Sequence, residues 1–519
     1  MIKLKNYLIL LLLPLMAACF SDESTDATKP LSTIVIESGI DSIYNIGKNE
    51  SILIQPVISQ ENKEKELHYV WEVDLKEVSY DKEYTFEGKA LGKYNCRLIV
   101  ENEDGKTFFP FTVFVNSPYE EGITILSKDA NGNSMLSFMQ KPYGEEKGKF
   151  FDYDCFAVNN PDDKFAAGAV DMVQCRDAVG SGGWVIIACQ GGGADGDAPT
   201  IYYLNEKTFE IENSIRVTEY DDFKPVKMGL TPVVYQQTSY PILCENGKVY
   251  DFSTGEADII QPRKLQSTYS PSCVVTRTST SYEILLWDKI NQGLSLIYNG
   301  YGPYYCSEKK YHLMLGEEGF DKNNFFAGSD FVTMTNIRMN AAQLAKTGNR
   351  SELLVITSYR SGKYAESRVI YSDFWGYNAM EEEESKRYPM AVESYHDGDW
   401  DKTNPPLTAE TPCIANKTYT TLHFAKGNKV YAWDYASVPT DMSGLLSPKE
   451  FCSVGSDDAI ITGFELSDDH EKLYVSYYEP KQQGLNGSLA VFHSDEKGPA
   501  LEEYKNISYQ AVKMFYKKK

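Results

Sequence analysis

The chain has 519 residues and a formal net charge of −23, with 42% hydrophobic and 13% aromatic residues. That acidity opposes phosphate backbones and anionic head groups, so neither nucleic acid nor an anionic membrane surface is an expected partner. The charge is spread along the chain, with one dense acidic run at Glu381 to Glu384. Tyr (37) and Phe (24) are abundant, and short Val/Ile/Tyr-rich runs recur between Gly, Asn and Asp turns, which points to an all-β protein.

The N-terminus comes first. Lys3 and Lys5 supply positive charge, and Tyr7 to Leu15 is apolar apart from Pro14. A run of about ten apolar residues is too short to span a bilayer, which takes about twenty, but suits the core of a secretory signal. Ala17 and Ala18 give the small side chains that a signal peptidase needs before its cut. Leu15-Met16-Ala17-Ala18-Cys19 resembles a bacterial lipobox, with Met16 where Leu is commonest. The expectation is a leader over residues 1–18 and a covalent lipid on Cys19. The competing reading is an ordinary signal peptide with an incidental cysteine. Losing Lys3 and Lys5 with the leader takes the charge from −23 to −25. Residues 19–30 read as a flexible acidic tether. Within it Phe20-Ser21-Asp22-Glu23-Ser24 resembles the acidic export signal of Bacteroidetes surface lipoproteins, which implies the outer face of the outer membrane.

Residues 31–117 read as a small β-sandwich. Alternating runs occur at Thr33–Glu37, Ser51–Ile58, His68–Val73, Asn95–Glu101 and Thr107–Val115. The period of two puts Tyr69, Trp71 and Val73 on one strand face, where an indole can fill a sandwich core. Gly92-Lys93-Tyr94 opens an alternating strand that runs to Asp104-Gly105, a hairpin-turn pair. This stretch resembles the PKD type of immunoglobulin-like domain, and Tyr94 resembles the tyrosine corner of such sandwiches. Placed after a tether, such a domain is expected to be a spacer.

Residues 118–519 carry a different rhythm. Strand pairs return at intervals of about 40 to 60 residues, the period of propeller blades. They include Ile123–Leu126 with Ser137–Met139, Trp184–Cys189 with Ile201–Leu204, and the Asn246-Gly247 hairpin of Pro241–Phe252. Glu283–Trp287 with Leu294–Tyr298, Leu353–Thr357 with Arg368–Tyr371, and the Gly427-Asn428 hairpin of Thr421–Trp433 continue the series. Ile461–Ser467, Leu473–Tyr477 and Ser488–Phe492 are three consecutive strands of one blade. The expectation is a seven- or eight-bladed β-propeller-like domain, latched by Asn506–Tyr516; a large β-sandwich or β-helix is the alternative. Closing sheets into a ring leaves few exposed edges. With Cys19 lipidated, nine cysteines remain, an odd number with no metal-ligand spacing, and they read chiefly as small buried hydrophobes.

Together, lipobox, acidic tether, Gly-x-Tyr sandwich and propeller-like region resemble the PKD-like lipoproteins of Bacteroidetes. The resemblance implies an accessory lipoprotein of a Sus-like uptake system, beside a TonB-dependent transporter and its lid lipoprotein, with oligopeptide or oligosaccharide cargo. It carries over no catalytic residues.

The chain has no HExxH, GxSxG or GxxxxGK[ST] motif. His68, His312, His396, His423, His470 and His493 are scattered in sequence. Gly191-Gly192-Gly193-Ala194-Asp195-Gly196-Asp197 could wrap an anion or set two carboxylates on a cation, or be a plain inter-strand loop. Asp397, Asp399 and Asp401 alternate as in calcium loops, but Lys402 and Thr408 stand where an EF-hand has Gly and Glu. Asp129–Asn133 is a weaker calcium pattern. The stronger functional signal is aromatic. Tyr301, Tyr304 and Tyr305 lie in a turn-rich stretch, Phe374, Trp375 and Tyr377 in another, and Trp400 at the acidic loop of Asp397, Asp399 and Asp401. Loop aromatics can stack on sugars or cover peptide side chains at small entropic cost; the alternative is that they plug the ends of the ring or sit between blades. Two functions compete: a non-catalytic binding component of a nutrient importer, and a surface propeller enzyme, a glycan lyase or hydrolase, using Asp397, Asp399 or Asp401 with a tyrosine or histidine.

Overall fold

A computed structural model describes residues 31–517 except 141–150, 177–182, 230–237, 255–258, 263–268, 278–281, 291, 300–305, 311–313, 316–325, 327, 338–350, 360–362, 372–389, 400–406 and 436–447. The protein is all-β, and it divides into two compact units between Pro118 and Tyr119.

The first unit is a sandwich of nine strands: β1 (Ile34–Ser38), β2 (Ile43–Gly47), β3 (Ser51–Ile54), β4 (Val57–Gln60), β5 (His68–Val73), β6 (Lys76–Ser79), β7 (Tyr84–Glu87), β8 (Gly92–Asn102) and β9 (Gly105–Asn116). One sheet has the order β2-β9-β8-β5-β6; facing it are the pairs β1-β4 and β3-β7. The run expected as one strand over Ser51–Ile58 is two, because Pro56 has no amide to donate. At that point the pairing partner changes from β7 to β1.

Trp71 is the pivot of this core. It is 1% exposed, stacks on Tyr84 at 5.3 Å and meets Phe111 edge-on at 6.1 Å. Its indole nitrogen donates to the Asp81 carbonyl at 2.8 Å, so burial leaves no orphan donor. The Tyr94 hydroxyl donates to the Ala90 carbonyl at 2.8 Å, as a tyrosine corner does. The β8–β9 turn differs from expectation. Its central residues are Glu103 and Asp104, with Gly105 already paired to Asn102. The Asn102 side chain accepts from the amides of Asp104 (2.9 Å) and Gly105 (3.1 Å), which holds the turn without a central glycine. Asp104 is thereby free to accept from the Ser32 amide at 2.8 Å and to pair with Lys65.

The second unit is a seven-bladed propeller, built among the described residues from seven sheets whose strands pair antiparallel, apart from the short parallel pair of Met314–Leu315 with Ala391–Val392 in blade 5. Blade 1 is completed by the C-terminus: its inner strand is Gln510–Lys517, followed outward by Gly122–Lys128, Ser134–Gln140 and Phe151–Asp152. The inner strands of blades 2 to 7 are Ala169–Arg176, Pro225–Met228, Tyr269–Arg277, Ser329–Ile337, Cys413–Asn416 and Ile460–Leu466. Each lies beside the next, and the seventh lies beside Gln510–Lys517, so the circle closes.

Both faces of a blade are packed against neighbours. That is why its middle strands are near-continuous apolar runs rather than alternating ones. Gly183–Cys189 shows it: Val185, Ile187 and Cys189 enter the seam with blade 1, and Ile186 and Ala188 the seam with blade 3. Cys96, Cys155, Cys189, Cys244, Cys413 and Cys452 are free thiols in apolar surroundings, all but Cys413 fully buried, and burial pushes Cys189 and Cys244 up to about 12. They pack as small hydrophobes.

The run expected as a latch splits in two. Glu502–Ser508 is the outer strand of blade 7, and Gln510–Lys517 alone is the latch. The chain turns over at Ser508-Tyr509, packed so closely on Gly487 that a Cβ there would lie 2.0 Å from the Tyr509 carbonyl oxygen.

Two outcomes are expected. Trp71→Ala should cost the sandwich about 3–5 kcal/mol in chemical denaturation; a loss under about 1 kcal/mol would contradict its place at the core. A chain ending at Ser508 should lose the propeller's main calorimetric transition and keep that of the sandwich. A main transition within a few degrees of the full chain's would mean that the ring does not depend on its latch.

Candidate functional site

The two ends of the propeller differ in what their described side chains do. At one end lie the hairpins between the second and third strands of each blade, together with the links that lead into the next inner strand. Polar groups there tie each hairpin to the blade that follows. Ser134 Oγ donates to the Ala166 carbonyl at 2.7 Å and accepts from the Ala169 amide at 3.0 Å. Gln190 Nε2 donates to the Pro225 carbonyl at 2.9 Å, and Gln292 Nε2 to that of Ser329 at 3.1 Å. Asn428 Nδ2 donates to the Ser456 carbonyl at 3.0 Å. One staple thus recurs at the seams 1–2, 2–3, 4–5 and 6–7.

Four carboxylates of this end also have internal partners. Gly191–Asp197 is a tight hairpin whose Gly192 and Asp197 exchange backbone hydrogen bonds at 2.7 and 2.8 Å. Gly191, Gly192, Gly193 and Gly196 all have positive φ, the conformation glycine tolerates. The two acidic residues do converge on a cation, and it is Lys164: its ammonium lies 2.6 Å from Asp195 and 3.0 Å from Asp197. Burial raises the Asp197 carboxyl, but Lys164 and the Ala167 amide outweigh it and hold the group below the usual range. Asp129 accepts from the amides of Asn131 and Asn133, both at 2.8 Å, so its carboxylate closes its own turn. Lys248, and then Tyr250, hold Asp222 low.

At the other end lie the turns that follow the inner strands, next to the ring axis. The blade 6 turn is set by Asn416, which is fully buried. Its Oδ1 accepts from the amides of Thr418 (2.9 Å) and Tyr419 (3.1 Å). Its Nδ2 donates to His470 O and Ser494 Oγ in blade 7, both at 2.9 Å. This arrangement presents Lys417. The residue is solvent-exposed, and desolvation by the protein around it holds its ammonium below the ordinary lysine range. No described carboxylate pairs with it. Tyr419 stands two residues on, its phenol raised by burial and by the carboxylates of Asp495, Glu471 and Asp469. Lys417 and Tyr419 share one turn, and blade 7 brings three carboxylates toward the phenol, so the two blades together can meet a ligand that carries both charges. Sequence reasoning missed this group, since Lys417-Thr418-Tyr419-Thr420 matches no motif.

Of the residues singled out from sequence, Cys19, Tyr301, Tyr304, Tyr305, Phe374, Trp375, Tyr377, Trp400 and Asp401 lie outside the described residues. Asp397 and Asp399 belong to the strand Met390–Asp399 of blade 5, paired with Ala365 and Lys363. Their backbone is therefore extended, not the loop that a calcium pattern suggests. Asp399 also stands at the opposite end of blade 5 from Tyr371, the strand end that leads toward Phe374. Eight residue steps along Lys363–Tyr371 separate the two ends, about 27 Å. Among the described residues no group of three or more His, Cys, Asp or Glu side chains has the geometry to hold a metal ion.

Residues 32–102 match the PKD-like domain family. No curated protein matches the chain. Among solved structures, it is similar to a quinonprotein alcohol dehydrogenase-like protein from Bacteroides thetaiotaomicron, at 14% identity and a TM-score of 0.41, over 93% of this chain and 99% of that one. AztD from Citrobacter koseri is similar at 10% identity and 0.34, over 81% and 94%. AofleA from Arthrobotrys oligospora is similar at 9% and 0.31, over 67% and 89%. At TM-scores below 0.5 the propeller assignment rests on the sheet order and ring closure described above, and the N-terminal unit carries the one family match: a PKD-like domain.

Proposed function

We propose that this chain is an outer-membrane lipoprotein, held by lipid on Cys19 and facing the cell exterior, that captures oligomeric nutrients without chemically altering them for a TonB-dependent importer of the Sus type. The observation that carries the reading is the order of parts: a lipobox-like cysteine, an acidic tether, a PKD-like sandwich, then a closed seven-bladed ring. A closed ring is a rigid base, and binding groups on its turns keep their spacing without a large entropic cost. The turn that carries Lys417 and Tyr419 supplies the chemistry. An ammonium without a described counter-charge favours a carboxylate, while Asp469, Glu471 and Asp495 favour an amine. Among the cargo classes, that combination fits short peptides with free termini better than neutral glycans.

The experiment uses the lipid-free protein and two pools, mixed oligopeptides and mixed neutral oligosaccharides. Retention of peptides without turnover is expected, reduced about 10-fold by Lys417→Met and by amidation of the peptide C-terminus. Turnover of either pool would overturn the binding-only reading; glycan retention unaffected by Lys417→Met would overturn the peptide assignment. In cells, Cys19→Ser should release the protein from membranes, and a pull-down of the lipidated form should recover a transporter subunit. Recovery of the protein alone would count against the importer.

A further inference from the structure

His423 is an anomaly in the apolar seam between blades 6 and 7. It lies in the second strand of blade 6, Thr421–Lys426, and is 0% exposed. Neither ring nitrogen has a hydrogen-bond partner among the described residues, although the Ser494 backbone approaches the ring without meeting hydrogen-bond geometry. The ring sits edge-on to Phe451 at 4.8 Å. Its cross-strand neighbours are Ile414 and Ala432, both packed into the cluster that joins the two blades, with Phe451, Cys452, Phe464 and Phe492. A neutral imidazole fits this site as a flat, nearly apolar plate. An imidazolium does not, because two N–H donors and a charge would have no acceptor.

The titratable groups of the packed elements do not change that. From the outer strand of blade 6 come Cys452, whose thiol burial pushes up to about 12, and Glu450, paired at 2.8 Å with Lys429 of the third strand. The inner strand ends in Asn416, and Lys417 after it is exposed. Blade 7 presents His470, whose carbonyl accepts from Asn416 and from Ser494, and His493, Asp495 and Lys497 along its exposed rim. None of these charges acts on the ring: burial lowers His423, and the Ser494 backbone alone works against it.

We propose that His423 makes the seam between blades 6 and 7 acid-sensitive: protonation of its ring opens this seam while the other described seams stay closed. The sign follows from linkage. The folded group titrates near 4 and the unfolded one near 6.5, so the unfolded or opened form binds the proton more readily. The seam keeps its full stability above pH 6.5 and loses it as pH falls from 6.5 toward 4. The turn that carries Lys417 is held across the same seam by Asn416, so opening would move Lys417 and Tyr419 away from the blade 7 carboxylates.

Cys452 reports on the seam directly, since it is 6% exposed within the cluster; Cys189, 0% exposed between blades 1 and 2, is the control. The full chain is treated with 4,4′-dithiodipyridine, which reacts with thiols in acid, and modification is read per cysteine by peptide mass spectrometry. Relative to Cys189, Cys452 should react up to roughly thirty-fold faster at pH 5 than at pH 7.5, the factor set by 1.5 pH units of linkage. His423→Phe should abolish the acid response, with His423→Leu as a second folded form. Equal acceleration at both cysteines, or an acid response that survives in both variants, would overturn the proposal.

Discussion

The ladder between Gly122–Lys128 and Gln510–Lys517 joins residues almost 400 positions apart, and the propeller depends on it. Seven residue pairs run from Gly122↔Lys517 to Lys128↔Gln510, with one irregularity after Leu126. Without them the first blade has no inner strand and the first seam no closure. Side chains reinforce the ladder at its end: Tyr516 donates to Glu121 at 2.5 Å, and the buried Lys517 ammonium donates to the carbonyls of Tyr119 and Glu120. A buried lysine is costly unless its donors are met, and here backbone carbonyls meet them where the second unit begins. The closing strand is the last element made, so the ring can complete itself only after every blade exists. Such non-local pairing is intrinsically slow to form.

Once closed, the ring is held by two kinds of contact with different tolerances. The seams are apolar and dense, so loss of a buried methylene group costs about a kilocalorie wherever it occurs. The staples at the hairpin end are directional. Ser134, Gln190, Gln292 and Asn428 each reach the backbone at the start of the next inner strand, and so set how one blade meets another. Buried, unpaired thiols suit the seams because they add volume without polar demand. His423 breaks that rule.

Much of the fold was legible in the sequence. The apolar run Trp184–Cys189, the Gly427 hairpin and the three strands from Ile461 to Phe492 follow from burial on both faces and from turn chemistry alone. What escaped has physical reasons. Ile43–Gly47 and Tyr84–Glu87 are only five and four residues long, too short for their alternation to stand out, and Lys76–Ser79 is largely exposed and carries no period. Pro56 cut one expected strand, and Ser508-Tyr509 cut another. The candidate site was far less legible. Lys164 meets Asp195 and Asp197 from about thirty residues away, an encounter that spacing cannot encode. Asp397 and Asp399 resembled a loop because alternating carboxylates also suit an exposed strand. Lys417 takes its character from a turn assembled by Asn416 across two blades.

This last point separates the places where function can reside from those where it cannot. A propeller uses its seams for cohesion and one set of hairpins for alignment, and here Asp129, Asp195, Asp197 and Asp222 of that end already serve as internal partners. The turn after the inner strand of blade 6 also serves alignment, but through a single buried residue. Asn416 spends its four hydrogen bonds on fixing the blade 6 turn to itself and to blade 7, and Lys417 is then left exposed without a described partner. A binding group and the joint beneath it thus share one buried amide. Anything that shifts blade 7 against blade 6 must move Lys417 and Tyr419 relative to Asp469 and Glu471, and the ring that shares this seam is the imidazole of His423.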